Sequence, residues 1–335
     1  MDRKTHLTMY VPEFTDSWNN YKKGLKGLKI TNWCISSDYC FGDPNKLDTA
    51  TFTIFPADYI PILSKEIKEN LPHDIKQTKE FSERELNYLK NSKYFFSISF
   101  IVNDIERCFN KNVALLHCKR LLKIQKEDIP FAVSNEDFHK NRQRLQEFLN
   151  SLQKKSCPIK LFAQMYFVAH SVAQIIEFLL IKENVKTVGW CSDRGAITTF
   201  NHGMVFNLVQ MYVHSYVKDR INEYHLAIPP TYQNEIDYFI RIPDIITGAL
   251  SSLTSSSKGF SAQKVKHQQL ILDSFMNNKK IVSLVYNVDK DGLMYGDRIV
   301  FETSDQCPLF KFEREQLERS PLFKIFQTDV SAFCG

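Results

Sequence analysis

Three aspartates stand where an acid is costly or conspicuous: Asp38 inside a stretch rich in β-branched, aromatic and Cys residues, Asp193 just past a short apolar run, and Asp244 beside a proline. Carboxylates are hard oxygen ligands, and several of them converging on one point suit Mg2+ or Mn2+. Two such ions about 4 Å apart can activate a water, position a scissile phosphate and stabilise the leaving oxygen, the two-metal scheme for phosphodiester cleavage. Each acid alone also admits a plain structural account. Asp38 could be a strand-end residue satisfied by backbone N–H groups, Asp193 a helix cap or a partner of Arg194, and Asp244 an acid favoured in a first helical turn by the dipole.

The elements around these acids decide whether they can meet. Ile30 to Phe41 reads as a strand, Gly42-Asp43-Pro44-Asn45 as a turn, and Thr49 to Phe55 as a second strand, together an antiparallel hairpin. Period-two alternation puts Asp38 on the face shared with Cys34 and Ser36. An ionised group there is costly unless it is paired, hydrogen-bonded or bound to a cation. Val185 to Cys191 reads as a buried strand following a helix, which leaves Asp193 at its carboxyl end, where open α/β sheets place ligands. Tyr238 to Ile242 reads as a strand running into a helix from Pro243 to Leu253, with the proline in the first turn. From Asp244, steps of four and seven residues reach Gly248 and Ser251, a small polar face able to approach a sheet closely.

Helical spacing marks Asp58 to Asn70, Asn135 to Lys154, Ile159 to Glu183 and Thr198 to Ile221, and Ser82 with Glu85 has the form of a capping box. A strand is expected at Tyr94 to Val102. Residues 1–27, broken by Pro12 and Gly24, are expected to form an irregular lead-in, and Thr254 to Gly259 a flexible joint. The resulting organisation is a main domain over 28–254 and a C-terminal appendage over 255–335. The appendage would hold a helix near Ser261 to Met276 and strands near Lys280 to Tyr286 and Arg298 to Thr303.

The chain of 335 residues carries 43 Lys and Arg against 38 Asp and Glu, and the excess is concentrated. Residues 107–160 hold twelve basic side chains, Lys119, Arg120, Arg142 and Arg144 among them, against five acidic ones. A segment of that kind can neutralise phosphates or simply form a solvated helix face. Eight cysteines without a C-x-x-C pair, and no secretory leader ahead of them, lead us to expect reduced thiols and a cytoplasmic protein. The apolar stretch Ile159 to Ile181 contains Gln164, His170, Gln174 and Glu177, so a core helix rather than a membrane span is expected. P-loop, dinucleotide-binding, zincin and nucleophile-elbow motifs do not occur, which argues against nucleotide hydrolases of the P-loop type and serine hydrolases.

In the order of its acidic motifs the chain resembles a bacterial, mostly uncharacterised family of ribonuclease-H-like domains whose first strand ends Asp-Glu-Ser-Gly. The family's acid-x-Lys motif before a helix and strand is matched by Asp74-Ile75-Lys76, its strand ending in Asp by Asp193, and its Ala-Asp-rich helix start followed by Gly-Ala by Ile242 to Ala249. Ser37-Asp38-Tyr39-Cys40 replaces the first motif without its Glu and Ser-Gly, and Asp74 stands where Glu is more usual. The resemblance covers about residues 28–254. It implies a ribonuclease-H-like mixed α/β sheet that opens with a hairpin and carries a helical insertion.

It also implies a cation site at Asp38, Asp193 and Asp244, with Asp74 as a fourth acid. Lys76 would contact a phosphate or else be a solvated loop residue, and Arg194 would clamp a phosphate or else pair with a neighbouring acid. The expected activity is metal-dependent cleavage of DNA or RNA. Two alternatives stay open: a catalytically inactive module that binds nucleic acid or protein, and a hydrolase of small phosphorylated substrates.

Overall fold

The computed structural model describes residues 5–7, 12–72, 77–102, 135–152, 158–227, 237–256, 259–262, 264–288, 294–300 and 311–313, with scattered positions at 112–123 and at 154. Its centre is a mixed sheet whose body comprises β1 (Asn32–Cys40), β2 (Thr49–Pro56), β3 (Phe96–Val102), β4 (Thr187–Ser192), β5 (His225–Ala227) and β8 (Ile281–Val288) in the order β8-β3-β2-β1-β4-β5. β1, β2 and β3 run antiparallel, whereas β4 lies parallel to β1, β5 to β4 and β8 to β3. Beyond β8 the sheet continues with antiparallel β9 (Met294–Val300) and β10 (Lys311–Glu313). The expected opening hairpin is present, with Asp38 opposite Thr51.

Alternation along β1 and β2 builds two cores. Trp33, Ile35, Phe52 and Ile54 join a cluster with α1 (Pro12–Gly24), α4 (Asn135–Leu152), α5 (Ile159–Lys182) and α7 (Met204–Val217). The opposite face packs against α2 (Ile60–Asn70), α3 (Glu83–Asn91), α8 (Asp237–Ser251) and α9 (Val265–Leu270), the last continued by a π turn to Phe275. That second face is lined by hydroxyls. Asp38, Thr51, Ser99 and Ser283 are successive partners across β1, β2, β3 and β8, and Ser36, Thr53 and Ser97 form the neighbouring row. Thr51 and Ser99 hydrogen-bond at 3.0 Å and Thr53 and Ser97 at 2.8 Å, so these buried groups satisfy one another beneath α8.

The helix carrying Asp244 differs from expectation. It begins at Asp237, six residues before Pro243, so the region 238–242 is helical and Asp244 lies in the middle of the helix. A proline there leaves the Phe239 carbonyl without its usual N–H partner. The Ser36 hydroxyl of β1 donates to that carbonyl at 2.9 Å, which compensates the helix and ties it to the strand. The dipole account of Asp244, which needed a first-turn position, therefore does not apply.

Four further expectations are corrected. Residues 12–24 are not an irregular lead-in: α1 buries Phe14, Trp18 and Tyr21, an aromatic stripe at helical spacing that packs on Trp33, Phe96 and Phe178. Thr254 to Gly259 is not a joint, because β6 (Leu253–Ser256) and β7 (Gly259–Ala262) pair as a separate hairpin. Residues 255–335 are not an appendage in their described part, since β8 extends the main sheet and Leu270, Ile271 and Phe275 belong to the core under α8. The helix expected from Thr198 is split into α6 (Ala196–Thr199), a 3-10 turn and α7. The break falls at Gly203, whose φ of +81° favours glycine. α5 has the length and hydropathy of a membrane span, but the qualifying window is wholly buried within the protein.

Candidate active site

At the edge of the sheet where β1 and β4 end, a cavity of about 410 Å³ lies between the strands and α8, and Asp38, Asp193 and Asp244 all line it. β1 and β4 are parallel neighbours, so their carboxyl ends coincide. The N–H of Asp193 continues the pairing by donating to Ser37 O at 3.0 Å, which brings the second acid beside the first strand. α8 adds Asp244, Thr247, Gly248 and Ser251, the face expected from helical steps along the sequence together with one residue between them.

Asp38 is the most constrained of the three, at 7% exposure. Burial pushes its carboxyl well above the usual carboxylate range, and the nearby charges of Asp244 and then Asp193 push it further. The N–H of Tyr39 and the hydroxyl of Thr247 act in the opposite direction without cancelling the shift. Thr247 also donates to the Asp38 carbonyl at 3.3 Å, a second hydroxyl tie between α8 and β1. Asp38 is thus a buried acid surrounded by acids.

Asp193 is exposed at the cavity mouth, and Thr198 rather than Asp193 closes the turn into α6, by donating to the carbonyls of Asp193 and Gly195. Behind β1, Tyr39 bonds the hydroxyls of Ser37 and Ser192, and Trp190 donates to Ser37 at 2.9 Å, fixing the ends of both strands.

The remainder of the cavity has the opposite charge. Lys46, Lys264 and Lys266 line it together with Ser252 and His267. His267 is buried, and its Nδ1 lies 2.5 Å from Ser252 Oγ. Burial, then the charges of Lys266, Lys264 and Lys46, lower the imidazole to about 4, so the ring is neutral at pH 7.

Of the remaining residues proposed from sequence, Asp74, Lys76 and Arg120 lie outside the described residues. Arg194 is exposed and does not line the cavity. Lys119 is exposed, and Arg142 and Arg144 belong to α4, which packs in the core on the opposite face of the sheet. The basic segment therefore does not supply the cationic side of this cavity in its described part. Lys46, Lys264, Lys266, Ser252 and His267 were missed. Two signals pointed to them: the turn after Asp38 must lie at the same sheet edge, and Lys264-Val265-Lys266-His267 is a compact basic group.

Among the described residues, no group of three or more His, Cys, Asp and Glu side chains is arranged as a formed metal site. Comparisons with protein-family models, curated proteins and solved structures found no match to the chain.

Proposed function

We propose that the chain is a metal-dependent phosphodiesterase of the ribonuclease-H-like kind, acting on DNA or RNA. The observation that carries this reading is the convergence of three acids, from two strand ends and one helix, on a single cavity in which Asp38 is buried among like charges. The strand order β3-β2-β1-β4-β5, with β2 alone reversed, supports the ribonuclease-H-like assignment. The donor chemistry fits a hard divalent cation, because all three groups are carboxylates and the buried one has no cationic partner among the described residues.

Asp38, Asp193 and Asp244 would hold Mg2+ or Mn2+, and the exposed Asp193 has the most freedom to adjust to the ion. When bound, the metal supplies Lewis-acid activation of water and of the phosphate. The chain's own contribution is positional: Thr247 and the Tyr39 N–H orient Asp38, Ser36 fixes α8 on β1, and the lysines attract the anionic substrate. Purified protein with Mn2+ is expected to cleave single- or double-stranded DNA or RNA, and Asp244→Asn to abolish that cleavage. Full activity in the variant would refute the assignment.

A second reading draws on a specific observation, the altered first motif, in which Ser37-Asp38-Tyr39-Cys40 lacks the Glu and Ser-Gly. In it the same cavity binds a nucleic-acid phosphate without cutting. Calorimetric titration separates the two: a heat of Mn2+ binding that Asp38→Asn removes supports catalysis, and salt-sensitive nucleic-acid binding without any metal response supports the module.

A further inference from the structure

The carboxylates do not account for the other end of the cavity. There, Lys46, Lys264 and Lys266 act together on one neutral imidazole. Lys266 is anchored by donating to Thr78 O at 2.7 Å, and Lys46 is loosely paired with Asp43 at 3.7 Å. The hydroxyl of Ser252 lies 2.7 Å from Ala249 O. The same hydroxyl lies 2.5 Å from His267 Nδ1 and holds the ring there with the ring proton on either nitrogen. His267 lines the cavity as a neutral ring at pH 7.

Three cations favour an anion of two charges over one of a single charge. An internal phosphodiester has one charge. A phosphomonoester carries about −1.5 to −2 near neutrality and exchanges its last proton near pH 6. We propose that this wall is a subsite for a terminal phosphomonoester, that of a strand end or a nucleotide, with the three lysines holding its oxygens. The subsite would make the protein selective for phosphorylated ends. The inference rests on the nuclease reading for which bond reacts, and not for whether the anion binds.

The test is calorimetric titration of the full chain in EDTA with methyl phosphate and with dimethyl phosphate. Methyl phosphate is expected to bind at least roughly ten-fold more tightly than dimethyl phosphate, since each lost charge-assisted contact is felt at that scale. The double variant Lys46→Gln, Lys264→Gln changes two exposed side chains and leaves the core intact. It is expected to weaken methyl phosphate binding roughly ten-fold, whereas Asp244→Asn does not weaken it. Equal affinity for the two esters, no binding of methyl phosphate, or unchanged affinity in the double variant overturns the proposal. Because no metal is present and no cleavage is read, a negative result leaves the nuclease assignment standing, and loss of that assignment leaves this result standing.

Discussion

Two buried acids on opposite sides of the sheet have opposite surroundings. Glu177 of α5 is completely buried, yet Arg220 donates to it at 2.7 Å and both the N–H and Nδ1 of His6 lie within 3.0 Å of its other oxygen. Among the described residues, Asp38 has only the Tyr39 N–H and Thr247 in its favour, and its charged neighbours are Asp244 and Asp193. The first acid holds a helix against an N-terminal segment and is complete as it stands. The second is costly to keep ionised, and in the proposed reading a bound cation would offset that cost, which would distinguish an acid kept for structure from one kept for binding.

The largest expected effect breaks the binding side of this comparison. Asp38→Asn or Asp244→Asn should lower Mn2+-dependent cleavage by roughly three orders of magnitude, read as initial rates on a labelled oligonucleotide. On the structural side, Arg220→Ala leaves Glu177 without its arginine. A loss of about 3 kcal/mol is expected in urea unfolding, with cleavage per folded molecule unchanged. A loss of activity without a loss of stability would show that the two acids had been assigned to the wrong sides.

A third effect concerns the tie between α8 and β1. Ser36→Ala leaves the Phe239 carbonyl unpaired next to Pro243, and a cost of roughly 1 to 3 kcal/mol is expected from chemical denaturation. An unchanged midpoint would mean that the hydroxyl does not compensate the proline.

The smallest effect sharpens the comparison through pH. The Asp38 carboxyl takes up a proton more readily in the folded chain than in the unfolded one. Metal-free protein therefore loses stability as pH rises from the ordinary carboxylate value toward the raised one. Asp38→Asn escapes that loss, so at pH 7 in EDTA it should melt above the wild type by the equivalent of roughly 1 to 2 kcal/mol. The gap should close as the pH falls toward the ordinary value of 3.8. A variant less stable than the wild type at pH 7 would contradict the description of Asp38 as unsatisfied.

Much of this arrangement was legible in the residues. Strand alternation put Asp38 with Ser36, the apolar run before Asp193 gave its strand end, and the i, i+4, i+7 spacing of Asp244, Gly248 and Ser251 gave the face of α8 that lines the cavity. Pro243 misled as a local signal because its compensation is tertiary: a serine some two hundred residues earlier in the chain supplies the missing donor. The polar residues of 12–24 concealed Phe14, Trp18 and Tyr21, which count only once Trp33 and Phe178 are there to receive them. The cationic wall was hidden for a related reason. Lys264 and His267 follow a serine-rich stretch that resembles a linker, and only the hairpin β6–β7 and the insertion of β8 beside β3 bring them back to the sheet.

The central claim is that Asp38, Asp193 and Asp244 form one cation site, and calorimetric titration of metal-free protein with Mn2+ tests it most directly. The account predicts saturable binding that releases protons at neutral pH and is lost in both Asp38→Asn and Asp244→Asn. Binding that survives in both variants, or no binding by the wild type, would contradict it.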